Sequence, residues 1–468
     1  MPTMASPPPL VQQISKCTVK PAPPPPHSAA AAAAAAVENL PLSVWDVAML
    51  SAHYIQKGLL FSTPLPSADH LAHKLKSSLS LALRHFHPLA GRLATERAPG
   101  GSGLHVSIDC SADRGGAEFI HASAAGVTVA QVLTTTSRDV PSFVQDFFPY
   151  NLALNHDGHS IPLVAVQLTE LADGGAFVAL CFNHVVGDGT SFWHFFNSWA
   201  EIARSGNNES LALSQPPVHD RWFIDGEAPP VKLPFSDPSE FLERFAPPPL
   251  RERMFHFSSH SIAKLKAKAN AERELVAAAG GTISSFQALS SLMWRSITRA
   301  RGMTEEQPTS CRLAIQNRGR LRPPLSPHYF GNSIYPMATT TTVGELLRHG
   351  LGWAAALLHE AVRSHDDGAI RGLVRKYHER PAVYGLSGFD KRSVMMGSSP
   401  RFDMYGCDFG WGKAVALRSG AANKFDGKVS SYPGREGGGS VDLEVCLLPE
   451  YMAALEMDEE FMSVVSTS

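Results

Sequence analysis

The sequence predicts a two-domain α/β protein, and three observations predict it. Both halves of the 468-residue chain mix short alternating apolar runs with longer stretches of helical periodicity. Between Gln215 and Arg251 the composition turns sharply to proline, which suits neither a long helix nor a central strand. The length is ample for two cores of ordinary size, so the proline-rich stretch reads as an interdomain connection. The expected organisation is a Pro/Ala-rich variable segment at 1–36, an N-terminal domain at 37–214, a connector at 215–250 and a C-terminal domain at 251–468.

Each element has its own signal. The proline runs at 7–9 and 23–26 and the alanine run at 29–36 leave room for one ordered strand, around Val11 to Val19. Ser43 or Asp46 is placed to cap a helix through Val47, Leu50 and Tyr54. Residues 71–84 repeat at helical spacing, and LHVSIDC alternates like a strand after the glycine-rich loop at 100–103. Residues 162–171 and 177–182 flank the turn Ala172-Asp173-Gly174-Gly175 and predict a hairpin. In the second half MFHFS and CRLAIQ are strand-like, while 258–268, 284–301 and 344–363 are helical. The end of the chain alternates short strands with glycine-rich turns.

Composition excludes several functional classes. A net charge of -2 offers no broad electrostatic footprint for nucleic acid or an anionic membrane. The six cysteines are widely spread without a CxxC pair, which suits reduced thiols in a reducing compartment. The N-terminus lacks the charged-then-apolar pattern of a signal peptide, and no apolar run approaches a membrane span. A cytoplasmic monomer acting on small molecules is the expectation.

The chemistry gathers in FVALCFNHVVGDGTSFWHFFNSWAEI, residues 177–202. An apolar strand stops at Asn183-His184, a glycine-bearing turn follows, and a helix opens at Thr190-Ser191. Phe192, Phe195, Phe196, Trp199 and Ile202 form its apolar stripe. Histidine, with an ordinary pKa near 6.5, is a usable base at neutral pH once its ring is held in place. Asp188 either orients that ring as in a catalytic triad or turns away and pins the turn through a salt bridge. Gly187 and Gly189 supply the backbone angles a tight turn demands.

A second His-x-x-x-Asp match, His105 and Asp109, lies within an alternating strand, where i and i+4 stand about 13 Å apart. It is a chance match. There is no Gly-x-Ser-x-Gly elbow, and neither HExxH nor paired Cys/His spacing points to a metal. Gly350-Leu351-Gly352-Trp353-Ala354-Ala355 fits a dinucleotide fingerprint formally, but sits in a helical pattern where a strand should precede it. Cys407, beside Asp408, reads as a structural thiol.

The segment Asp408-Phe409-Gly410-Trp411-Gly412-Lys413, taken with HVVGDG at 184–189, resembles the signature pair of the BAHD acyltransferases. FHPLAGRL at 86–93, the stretch at 283–301, RLRPPLSPHYFGNSI at 320–334 and NKFDGKVSSY at 423–432 follow in the family's order. The resemblance implies two chloramphenicol-acetyltransferase-like domains with mixed sheets flanked by helices and a channel at their interface. It implies acyl-CoA as co-substrate, a hydroxyl or amine acceptor, no metal, and His184 as general base. Asp188 would then pair with an arginine, Arg318 first and Arg320 second. Asp408, Phe409, Gly410, Trp411 and Gly412 would form a structural loop on the CoA side. Ser284, Ser285, Ser398 and Arg401 are candidate substrate or CoA contacts.

One departure concerns the acceptor. Where shikimate-type relatives carry Thr-Ser-Trp, this chain has Gly397-Ser398-Ser399 followed by Pro400-Arg401, so a handle built on that tryptophan is absent. SSPRF is more similar to a subgroup with cuticle- and defence-related members. A peptide-synthetase condensation domain would need a second histidine where Asn183 stands. A lyase or ligand-binding paralogue of the same fold is the remaining alternative.

Overall fold

The computed structural model describes residues 10–23, 39–62, 65–98, 103–111, 115–133, 139–208, 212–226, 231–274 and 281–466. The alanine run at 29–36 and the first proline run lie outside the described residues. Strands of the N-terminal half are β1 (Gln12–Val19), β2 (Asn39–Pro41), β3 (Ile55–Phe61), β4 (Arg92–Arg97), β5 (Leu104–Asp109), β6 (Ala117–Ala124), β7 (Val164–Leu171) and β8 (Ala176–Phe182). Those of the C-terminal half are β9 (Arg251–Phe257), β10 (Pro308–Gln316), β11 (Ile334–Thr342), β12 (Ser393–Gly397), β13 (Ala416–Ser419), β14 (Lys428–Pro433) and β15 (Val441–Leu447).

They build two mixed six-stranded sheets and a small third one. The first sheet runs β1-β6-β7-β8-β3-β13, with β6 and β7 parallel and the other neighbours antiparallel. The second runs β11-β10-β12-β14-β15-β9, with two parallel pairings around β12. The hairpin β7–β8 forms over the expected residues. The sheets are not separate along the chain, because β13 crosses over and closes the edge of the first sheet on β3.

Helices α1 (Ala68–His85) and α2 (Gly189–Arg204) cover the first sheet. Phe192, Phe195, Phe196, Trp199 and Ile202 of α2 are all buried, and the Trp199 indole donates to Ser78 Oγ of α1 at 2.9 Å. Helices α3 (Ser259–Glu274), α4 (Ser285–Ala300) and α5 (Leu351–Ser364) cover one face of the second sheet. There Leu265, Leu289, Ile297 and Leu358 pack with Phe257, Leu313, Val429 and Val445. Helix α4 begins in a capping box, with Ser284 Oγ accepting from Gln287 N–H and Gln287 Oε1 accepting from Ser284 N–H. Among the described residues no helix is long and apolar enough to cross a membrane.

Two helix expectations fail for tertiary reasons. The helix expected through Tyr54 spans only Val44–Val47. Beyond it, Asn155 Nδ2 donates to the carbonyls of Met49 and His53, and Tyr54 N–H goes to Ala153 O, so distant partners replace the helical ladder. The helix expected over 344–363 is two, Val343–Arg348 and α5, broken at His349-Gly350. Arg295 takes the carbonyls of Leu346 and His349, and Glu272 Oε2 receives the Gly352 N–H at 2.8 Å.

Gly350 and Gly352 therefore start a packed helix after another helix, and no strand precedes them. A Cβ on Gly352 would lie 2.7 Å from Ala269 O and 2.6 Å from Glu272 Cβ of α3. Gly352→Ala should force α3 and α5 apart and lower unfolding stability by about 1–3 kcal/mol, read from the urea midpoint.

Candidate active site

Between the two sheets lies a cavity of about 650 Å³, in the range of small-molecule sites. Gln56, His184 and Trp193 line it from the N-terminal half, and Ser284, Asn423 and Lys428 from the C-terminal half. His184 stands where β8 ends. Its N–H donates to Asn155 Oδ1 at 2.7 Å, and Asn183 Nδ2 donates to Asn155 O at 2.7 Å, so the strand end is fixed from outside the strand.

The ring is oriented by Asn332. The Asn332 Nδ2 group donates to Asp46 Oδ1 at 2.9 Å, to His184 O at 2.8 Å and to Val185 O at 3.2 Å. These partners only accept, so the amide nitrogen faces them and Oδ1 is turned to the imidazole. Oδ1 lies 3.2 Å from His184 Nδ1 and accepts its proton. The ring is thereby the Nδ1–H tautomer, with the lone pair on Nε2. Asp46 is itself immobilised: its Oδ2 accepts from Ser43 N–H and Oγ, and Arg221 Nε lies 3.4 Å away. Burial lowers the His184 pKa below its ordinary value, and the opposing bonds, from its own backbone and from Asn332, with the Asp188 charge, do not restore it.

Asp188 makes no contact with the imidazole. Its Oδ2 accepts from Arg318 Nη1 at 2.7 Å and its Oδ1 from Arg318 Nη2 at 3.0 Å, with both side chains buried. The same carboxylate caps α2 through Thr190 and Ser191 N–H, and holds Ser333 N–H at 3.0 Å. Burial alone would raise its pKa; the Arg318 guanidinium and the backbone donors outweigh that and hold it below the usual value. Arg320, the second choice, donates instead to the carbonyls of Val362 and His365, and its side chain borders the cavity.

The two turn glycines act differently from expectation. Neither Gly187 nor Gly189 has a positive φ. Space is the requirement: a Cβ on Gly187 would lie 2.5 Å from Ser191 Cβ, and one on Gly189 would press on the Phe402 ring at 3.1 Å.

Of the remaining candidates, Ser284, Ser398 and Arg401 border the cavity, and Ser285 does not. Asp408, Phe409, Gly410, Trp411 and Gly412 also lie off its wall. Phe409 is buried against Trp199 and Phe61, Trp411 stacks on Phe409, and Asp408 Oδ1 accepts from the N–H of Gly410 and Gly412. This loop clamps the end of α2, where Arg204 donates to Asp408 O.

Sequence reasoning missed Asn332, Asp46, Asn155 and Arg221. Asn332 lay inside the RLRPPLSPHYFGNSI block, and Asp46 was noticed only as a helix cap. Arg221 lies in the proline-rich stretch, where it donates to Val186 O and Phe330 O.

Two mixed sheets enclose a cavity, with a histidine of fixed ring orientation at the end of a strand. The description "Transferase family" matches residues 11–462. An uncharacterized acetyltransferase of Arabidopsis thaliana is 39% identical over 434 residues, covering 91% of this chain and 94% of that protein. The BAHD acyltransferase DCR of the same plant is 35% identical over 439 residues, covering 90% and 88%. The crystal structure of TRI101 from F. sporotrichioides, complexed with coenzyme A and T-2, shares the fold at a TM-score of 0.71 and 18% identity, covering 91% and 98%. The chain belongs to the BAHD acyltransferase family.

Asp188→Asn should cost about 3–5 kcal/mol of stability, because it leaves the buried Arg318 charge uncompensated. Loss of melting temperature together with activity is the expected result. A variant that melts like the wild type yet loses turnover would assign Asp188 a direct catalytic part.

Proposed function

We propose that the protein transfers an acyl group from a CoA thioester to a hydroxyl or amine of a small-molecule acceptor, with His184 as general base. The observation that carries this is the tautomer lock: Asp46 and two carbonyls fix Asn332, Asn332 fixes Nδ1, and Nε2 is left basic beside the cavity. In a ternary complex Nε2 takes the acceptor proton as the oxygen or nitrogen attacks the thioester carbonyl. The tetrahedral oxyanion then collapses, the C–S bond breaks, and the proton on the imidazolium passes to the CoA thiolate. No acyl-enzyme forms. The acceptor class on this reading is a plant metabolite or a cuticle- or defence-related compound, and the cytoplasm is the expected location.

Purified protein incubated with radiolabelled acyl-CoA and a plant metabolite extract should yield a labelled product. His184→Ala should reduce that transfer by about a hundred- to ten-thousandfold. Failure to label anything from any extract, with unchanged behaviour of His184→Ala, would sink the proposal.

The lowered His184 pKa sets the pH profile. The ring is neutral and competent above its folded pKa, so kcat/KM should stay on its plateau as pH falls through about 6.5 and decline only below that. Asn332→Ala removes a bond that raises this pKa, so its acid limb should shift to lower pH while kcat drops about a hundredfold. A lower kcat with an unmoved acid limb would assign Asn332 a structural part only.

A further inference from the structure

The second sheet turns a polar stripe toward the cavity. Strands β14 and β15 are antiparallel, with Lys428 opposite Cys446 and Ser430 opposite Glu444. Because side chains alternate along a strand, Lys428, Ser430 and Tyr432 share one face, and Val429 goes to the core on the other. Lys57 of β3 approaches this stripe from the first sheet and donates to Tyr432 OH at 2.6 Å.

The charges on the stripe are unequal. Glu444 is fully engaged: Oε1 accepts from Ser419 Oγ at 2.5 Å and Lys424 Nζ at 2.8 Å, and Oε2 from Tyr432 OH at 2.5 Å. Lys424 is also bonded to Glu252. Lys428 has no hydrogen-bonding or ion-pair partner for its ammonium among the described residues, although it borders the cavity. Room is made for it on purpose by the neighbouring strand, since a Cβ on Gly397 of β12 would lie 2.2 Å from Lys428 Nζ. Its charge also reaches His184, whose pKa it helps to lower. The ammonium and the base border the same cavity.

An ammonium that borders the cavity, half-buried and with no counter-ion of its own, offers its charge to whatever binds there. We infer that Lys428 is a specificity residue that receives a carboxylate carried by the substrate bound at His184, either on the acceptor or at the far end of the acyl group. The inference rests on the acyl-transfer reading for the identity of that substrate. The Ser430 hydroxyl beside Lys428 on the same strand face borders the cavity as a second donor for the anion. Burial pushes the Lys428 pKa down to about 8, so the group still carries its charge at neutral pH.

Binding, read without turnover, tests this. Isothermal titration with the full chain compares ω-hydroxypalmitate and shikimate with their methyl esters in one arm, and malonyl-CoA with acetyl-CoA in the other. The wild type should bind at least one acid about ten- to a hundredfold more tightly than its neutral counterpart, and the arm showing this assigns the source of the carboxylate. Lys428→Met should abolish that ratio, and Lys428→Arg should retain part of it. Removing an unpaired charge should leave Lys428→Met melting at or above the wild-type temperature, which excludes misfolding as the cause. A wild type with no preference in either arm overturns the inference, as does a Lys428→Met protein that keeps the preference. Failure of the transfer reading is separately visible as absence of labelled product with wild-type protein, and it leaves the binding ratio readable.

Discussion

The buried Asp188–Arg318 pair is the constraint on which the site depends. Arg318 reaches Asp188 from the second half of the chain, and also donates to Tyr329 O and Gly331 O. One carboxylate thus caps the helix after the His184 turn and ties that turn to the loop carrying Asn332. A buried ion pair is poor evidence for stability in itself, because desolvation offsets much of the attraction. Its value here is geometric: five donors converge on Asp188, and few other arrangements of the two segments satisfy them all.

Around that junction the two sheets differ: the first packs apolar clusters on both faces, whereas the second is apolar on its helix-covered face and turns Lys428 and Ser430 toward the cavity on the other. The crossover of β13 onto β3 ties the C-terminal half of the chain into the first sheet through backbone hydrogen bonds, adding to the side-chain contacts across the cavity. Asn423 reinforces the same join, accepting from His53 N–H and donating to the carbonyls of His53 and Tyr54. A cavity with walls tied at several points holds His184 and the polar stripe at fixed separation, which is what positional catalysis requires.

Much of this was legible from local patterns. The β7–β8 hairpin followed from a glycine turn between two apolar runs, and α2 from an aromatic stripe behind a strand end. The helical pattern around Gly350 and Gly352 is present, although as two helices broken at His349-Gly350. Elements failed where distant side chains took over backbone groups, as Asn155 does at Met49 and His53 and Arg295 does at Leu346 and His349. Such takeovers leave no periodic trace, because the partner lies about fifty to a hundred residues away in the chain.

By itself the sequence determined the family and the α/β class and pointed to His184, since these depend on contiguous motifs and short-range periodicity. Tertiary structure alone decided what holds His184, and between the two arginines it chose Arg318 for Asp188. The imidazole is held by Asn332, 148 positions on, and through it by Asp46. Asp188, four residues from His184, is drawn to Arg318 because a buried carboxylate is stabilised by a guanidinium far more than by a neutral ring. Spacing alone left a triad or a pinned turn open for Asp188; burial and charge complementarity with Arg318, the arginine the family resemblance put first, pin the turn.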